Sequence, residues 1–281
     1  VTGTVLITGA SGYVGSRVLA TIAERGWMPT RLGRSGADIH FDLADSGSLS
    51  SLPAADALVH LSYDFSPRTW PEIQRVNVEG SRRLMEGARA QGVDRIVCIS
   101  STAAFTGTRS LYGRAKLEIE RIALGLGATV IRPGLVWGDE PGAMFASLGR
   151  IVSRLPIVPL IAPADLPVLM VKDTDLGLLV DDALRRPDVF AGHLAVAAAR
   201  TPIGFEALLR SIAHANGCHP RFLGTPWRLA WGALRGMELV GLNPPFRSDS
   251  LVSLVAVDRA PFAEQTLDPE ATAVDFRPYP L

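Results

Sequence analysis

Short apolar runs with strand character alternate with segments of helical spacing through the first 132 residues, and this alternation limits the fold more than any other feature. The runs are TVLIT, MPTRL, DIHFDL, ALVHL, RIVCIS and ATVIR; segments such as SRVLATIAERG and NVEGSRRLMEGARAQG lie between most of them. Strands that recur in this way with helices between them predict a parallel sheet covered on both faces. Stretches apolar at consecutive positions, such as VLI and IVCI, are those of strands buried on both sides, so the sheet is expected at the centre. With 281 residues, 47% of them apolar, the chain can fill one large α/β domain or two smaller lobes.

After Arg132 proline and glycine become frequent, and the next clear helix–strand unit, DTDLGLLVDDAL followed by GHLAVAAA, comes around residues 173–199. The interruption predicts an inserted lobe. Residues 1–135 are expected to form the sheet core, completed by about 171–200, with 136–170 and 201–281 forming a small, mainly C-terminal substrate lobe. Helical spacing returns in TPIGFEALLRSIAHANG and in PWRLAWGALRGMELVGL, where Trp227, Ala230, Trp231, Leu234 and Met237 share one apolar face. That face is read as internal packing or the seam of a homodimer rather than a membrane contact. The apolar stretch from Leu155 to Val171 carries Pro156, Pro159, Pro163, Pro167 and Asp165, which excludes an ordinary spanning helix; loop and packed strand are expected there.

Twenty-eight basic residues balance twenty-eight acidic ones. This gives no basic surplus for nucleic acid and points to small-molecule partners. Cys98 and Cys218 have no CxxC or metal spacing, and the sequence runs from Val1 into a strand without the pattern of an export signal; a reducing cytoplasm is the expectation. His60 is expected at the end of a buried strand. His40, His193, His214 and His219 show no metal spacing, so no metal is assigned.

Residues 8–15 read TGASGYVG, directly after the first strand and at the opening of the first helix. Glycines at 9, 12 and 15 allow a tight turn, close approach of a pyrophosphate and close helix–sheet packing, with the phosphate at the helix N-terminus. Gly9, Ser11, Gly12, Tyr13, Val14 and Gly15 are therefore read as a dinucleotide cradle. An acid at the end of the second strand would bond a ribose 2′-hydroxyl, but the run there is TRLGRSG. Gly33 stands at the acid's place and Arg34 follows, a combination that admits a 2′-phosphate; NADP is expected, with NAD the alternative. Asp42 and Leu43 are placed to meet the adenine.

Tyr112 and Lys116 stand four apart in YGRAK, and the chain's only other lysine is Lys172. On a helix the pair shares a face. A phenol titrating near 10 is a poor acid or base at neutral pH unless a cation stabilises the phenolate, and a compact ammonium does this while also bonding a ribose.

With these residues the chain resembles the extended branch of the short-chain dehydrogenase/reductase superfamily, the NAD-dependent epimerase/dehydratase-like enzymes. The resemblance rests on TGASGYVG, FDL, VHLS at 59–62, RVNVEG at 75–80, ISST at 99–102, YGRAK, and IRPGLVWG at 131–138. It implies an α/β, Rossmann-type doubly wound fold. Thr102 would hold the substrate carbonyl, Tyr112 would be the acid/base, Lys116 would orient ribose and lower the Tyr112 pKa, and Asn77 would support the lysine through water. Leu61, Ser62, Pro133 and Val136 would line the cofactor, with Arg132, Pro133 and Gly134 ending a strand beside the nicotinamide. The segment between Thr102 and Tyr112 is shorter than in sugar-nucleotide epimerases, which implies a more open site and an apolar carbonyl substrate. Tyr63, Asp64, Phe65 and Trp137 are the substrate-facing candidates. The expected activity is an NADP-dependent oxidoreductase acting on a small carbonyl or alcohol. An epimerase or dehydratase with tightly bound NAD(P), and a non-catalytic cofactor-binding scaffold, are the alternatives.

Overall fold

Every strand of the central sheet runs in the same direction, so the chain must return between strands, and helices make most of those returns. In the computed structural model β1 (Thr4–Thr8) leads through the glycine turn into α1 (Tyr13–Glu24), then β2 (Met28–Gly33), β3 (Ile39–His40) and β4 (Ala57–His60). A short α2 (Trp70–Ile73) passes through a π-helical turn, Gln74–Val78, into α3 (Glu79–Ala90), followed by β5 (Arg95–Ile99), α4 (Leu111–Gly125), β6 (Thr129–Pro133) and β7 (Leu135–Trp137). Then come α5 (Ala143–Arg154), β8 (Ile157–Ala162), β9 (Pro167–Val168), β10 (Met170–Lys172), α6 (Asp173–Arg185), α7 (Pro187–Phe190) and β11 (Leu194–Ala197). The chain continues with β12 (Ile203–Gly204), α8 (Phe205–Ala215), β13 (Arg221–Pro226), α9 (Trp227–Leu239) and α10 (Ser248–Val255). The structure describes residues 3–45, 47, 52–140, 142–162, 166–242, 244, 246–256, 267 and 271–281. Val1, Pro163 and Asp165, which entered the reading of the sequence, lie outside them.

The seven-stranded sheet has the order β11-β6-β5-β4-β1-β2-β3, all parallel. The chain reverses its direction of travel across the sheet between β1 and β4, and the crevice outside the carboxyl ends of those strands is where a doubly wound sheet binds its ligand. Alternate residues explain the two layers. Leu6, Leu58, Ile96, Cys98 and Val130 pack against Leu84, Met85 and Ala88 of α3 and Ala115, Ile119 and Ala123 of α4. Their neighbours Val5, Ile7, Val59, Val97, Ile99 and Ile131 pack against Val18 and Ile22 of α1 and Leu176, Leu179 and Val180 of α6.

A third apolar cluster joins Leu148 and Val152 of α5, Val158, Leu160 and Ile161 of β8, Val168 and Met170, Phe205, Leu208, Leu209 and Ile212 of α8, and Leu251 of α10. The helices α5 and α10 were not anticipated, nor was β13, which pairs in parallel with β8. The end of the chain departs from the expected lobe. Leu267 donates its amide to Leu194 O (2.7 Å), Leu267, Val274 and Phe276 pack on the α1–α6 layer, and Arg277 pairs with the buried Asp175 at the start of α6. The physical reason is that carboxylate, 2% exposed, which is answered by the Arg277 amide and guanidinium.

Candidate active site

The glycine turn separates two jobs. Gly9 has φ +73°, and a Cβ there would sit 2.8 Å from Ser62 N; a Cβ on Gly15 would collide with the Gly9 carbonyl. Both are demanded by the fold. Gly12 is exposed, has φ −78°, and its Cβ would meet only Gly9 O at 3.4 Å, so the protein itself does not require a glycine there. It leaves room for a ligand to approach the backbone closely. The N-terminus of α1 has no side-chain cap and no acid in its first turn, which leaves its N–H groups and positive dipole end for an anion. A dinucleotide pyrophosphate fits this cradle, formed by Ser11, Gly12 and the backbone of Tyr13 and Val14.

The side chain of Tyr13 has another use. Its hydroxyl donates to Glu140 O (3.0 Å) and Asp173 Oδ2 (3.2 Å), and burial beside Asp173 pushes its pKa up to about 12. Arg17 pairs with Glu140, and Gly142 lies flat on the Tyr13 ring, where any Cβ would clash. Lys172 bonds Asp139 at 3.4 Å and sits over the Trp137 ring. The loop after β7 is thus tied to the first turn of α1.

At the end of β2, Arg34 is exposed and its Nη1 stands 3.4 Å from Asp64 Oδ2. Asp64 was expected to face substrate. Its carboxylate instead faces Arg34 and the amide of Ser66, because the loop after β4 turns toward β2. Asp42 accepts from Ala44 N, while the Leu43 side chain is core, 5% exposed. Gly80 allows the close approach of Leu43 O, to which Arg83 also donates (2.9 Å). Any contact of Leu43 with adenine is therefore through its backbone.

His60 is a core histidine. Its ring bonds Thr8 Oγ1 (2.8 Å) and Ser81 Oγ (2.7 Å), and full burial beside Lys116 lowers its pKa to about 3. The Leu61 and Ser62 amides donate to Thr8 Oγ1, both at 3.2 Å, which fixes the backbone at the switch point. The Asn77 side chain is held against the loop after β4. Its amide accepts from Asp64 N (2.7 Å) and donates to Asp64 O (3.0 Å), a two-point clamp from the π-helical turn onto the loop of Tyr63, Asp64 and Phe65.

Tyr112 and Lys116 lie one turn apart on α4. The Tyr112 side chain bonds Ser101, the neighbour of the expected Thr102, whose amide joins β5 to β6 through Pro133 O (3.2 Å). Burial pushes the Tyr112 phenol up to about 12, against the smaller lowering effect of Ser101. Here too the expectation is corrected. Lys116 is itself buried, which lowers its pKa, and its Nζ donates to Ile99 O (2.8 Å), so it does not hold Tyr112 down. One further turn along, Glu120 is 2% exposed and makes a bidentate pair with Arg132 (2.8 and 2.7 Å), bracing α4 against the end of β6.

Tyr63 and Phe65 stand against Tyr112, with ring centroids 5.0 and 5.8 Å away, and Lys116 Nζ is 5.4 Å from the centre of the Tyr63 ring. Trp137 meets Tyr279 edge-on at 5.3 Å, with Phe145 beyond, and its buried indole N–H has no partner among the described residues. Pro133 and Gly134 are buried where β6 ends. A Cβ on Gly134 would press on the Leu169 backbone, and Val136 pairs with Val171. Three contributors were missed from sequence: Ser101, Gly113 and Asp249. A Cβ on Gly113 would strike the loop of Ala103 and Thr108. Asp249 of α10 accepts from Leu111 N (2.8 Å) and Tyr112 N (3.1 Å), holding the amide of the tyrosine itself. The glycine after Tyr112 was a signal for close packing; Asp249, 137 positions from Tyr112, offered none.

The chain is similar to known proteins. The family model described as "NAD dependent epimerase/dehydratase family" matches residues 5–155. The chain is 28% identical to ceramide reductase of Caulobacter vibrioides over 239 residues, covering 80% of this chain and 74% of that protein. It is 29% identical to methionine adenosyltransferase 2 subunit beta of Bos taurus over 165 residues, 48% of this chain and 47% of the other. Among solved structures, "MoeE5 in complex with UDP-glucose and NAD" superimposes with a TM-score of 0.67 at 22% identity, covering 79% of this chain and 85% of that one.

Proposed function

The chain belongs to the NAD dependent epimerase/dehydratase family, and from that premise we propose that it is an NADP-dependent reductase of an apolar carbonyl compound, with Tyr112 as the proton donor. The observation that carries this reading is the set on α4: Tyr112 with Ser101 at its side chain and Lys116 one turn below. Bound in the cradle at β1 and β4, the nicotinamide supplies hydride chemistry. The protein's part is to present a proton to the oxygen that gains charge. A phenol pushed up to about 12 is protonated at neutral pH and is still a stronger acid than an alcohol, so it can donate to a developing alkoxide. Ser101 and Thr102 are the hydroxyls that hold the carbonyl, and the Ser101 hydroxyl bonded to the phenol is the group that favours the tyrosinate left after transfer.

Tyr63 and Phe65 offer aromatic surface beside Tyr112, with the Tyr112 and Ser101 hydroxyls as the polar groups. Such a lining favours an apolar molecule with one polar group. Similarity to a ceramide reductase supports a carbonyl on a long aliphatic compound. For the cofactor, Arg34 is the cation available to a 2′-phosphate, and its contact with Asp64 is a single one at 3.4 Å, which a dianion can outcompete.

The test is reduction of a panel of long-chain and cyclic ketones by NADPH and NADH, with dissociation constants for both cofactors. NADPH is expected to bind about ten- to a hundredfold tighter; Arg34→Ala removes that preference and Asp64→Asn enlarges it. Equal affinities sink the NADP assignment. Absence of turnover together with NAD that co-purifies and leaves only on unfolding gives the site to an epimerase or dehydratase.

A further inference from the structure

None of the residues of α9 is buried, whereas α1, α3, α4, α6 and α8 each bury a stripe. Its inner side, Trp227, Ala230 and Leu234, rests on the lobe cluster, and Glu238 turns inward to accept from the Ser248 amide (2.9 Å) and hydroxyl (2.7 Å). At about 100° per residue the opposite side carries Leu229, Ala233, Gly236 and Val240. Leu229 is 68% exposed, Leu239 73%, Val240 74% and Leu242 54%, with Trp231 and Met237 at the margins. Apolar side chains this concentrated on one short segment mark an interaction face, unlike the scattered ones on any surface.

We propose that this face docks the protein on an anionic lipid surface, with α9 lying in the plane of the interface. The charge pattern selects that occupant. Arg228 and Arg235 are the only charges on the outer side, and the helix's one acid, Glu238, is 7% exposed and held by Ser248, with Arg235 at 3.4 Å. Arginines bordering an apolar pole suit lipid phosphates above acyl chains, and an indole at the margin suits the headgroup level. A second copy suits the face less well, because a two-fold axis through it would set the arginines of one copy near those of the other. No described helix is long and apolar enough to cross a membrane, and the thirteen residues of α9 are fewer than the ~20 a span needs, so the contact is peripheral.

The test uses the full chain and vesicles of phosphatidylcholine with and without phosphatidylglycerol. Sedimentation with the phosphatidylglycerol vesicles is expected, weakening as salt rises. Joint Leu229→Asp and Val240→Asp substitution lowers the partition by at least about a hundredfold. Arg228→Ala with Arg235→Ala lowers it by about thirtyfold and removes the preference for the anionic lipid. All four side chains are exposed, so unfolding temperature and NADPH affinity are expected to stay at the parent values and serve as the folding control. Quenching of tryptophan fluorescence by brominated lipid is expected in the parent and reduced in Trp231→Phe. Three results overturn the proposal: no binding to anionic vesicles at low salt, equal binding by the two-aspartate variant, or a dimer that the same variant abolishes, which gives the face to a second copy. None of them touches the assignment of Tyr112, which is read from turnover.

Discussion

In the sheet half, several polar side chains are buried against specific polar partners. His60 sits between Thr8 and Ser81, Glu120 is matched by both arms of Arg132, and Asp181 receives Trp27, Arg25 and Arg185. In the lobe the buried set is almost wholly apolar, and much apolar surface remains outside on α9, β8 and β13. The first region is specified by directions and distances, the second by volume. Directional matching leaves fixed residue types at fixed spacings, while many apolar sets fill one volume equally well. That is why chemistry was readable in one half and substrate was not in the other.

The strongest way to break this contrast is at the acid/base. Tyr112→Phe is expected to lower turnover by about a hundredfold or more while NADPH titrates as in the parent; near-parent turnover would hand the proton to Tyr63. Next come the two glycines. Gly15→Ala should destabilise the fold by ~1–3 kcal/mol or more, because its Cβ has no room beside Gly9. Gly12→Ala should unfold at the parent temperature yet bind cofactor at least about tenfold more weakly. Equal unfolding temperatures for both variants would show that the turn is not divided between fold and ligand.

A pH series sharpens the comparison further. The His60 pKa falls from 6.5 to about 3 on folding, so its contribution is complete above pH 6.5 and is lost as pH falls toward 3. Between pH 6.5 and 5 stability should decline by up to about 1.4 kcal/mol per pH unit from this group, and His60→Gln should flatten that slope in denaturant melts. The smallest effect is expected where the lobe touches the acid/base helix. Asp249→Ala removes a carboxylate cap and should cost ~0.5–2 kcal/mol, with a larger loss in kcat than in cofactor affinity.

The alternation of strand and helix, the glycine turn and the Tyr112–Lys116 pair were legible because each is local: the constraint acts within a few residues of the signal. Ser101 was passed over for Thr102 because adjacent hydroxyls at a strand end look alike until the backbone fixes which one faces Tyr112. The Arg34–Asp64 contact spans 30 positions and α4's cap at Asp249 spans 138 from Leu111, so neither leaves a spacing to read. β13 was missed because RFLGTP contains both a glycine and a proline, and it is a strand only through its pairing with β8.

The bonds from Asp249 to the start of α4 also set an order of assembly. A ribosome delivers the tyrosine, its lysine and the whole pyrophosphate turn well before it reaches residue 249. During that interval the emerging chain owns every group that does chemistry and lacks the carboxylate that holds the tyrosine's amide in place. The full bracing of that helix end therefore arrives late in synthesis, with the lobe, and a lobe transplanted from a relative restores it only if it carries an acid at that position.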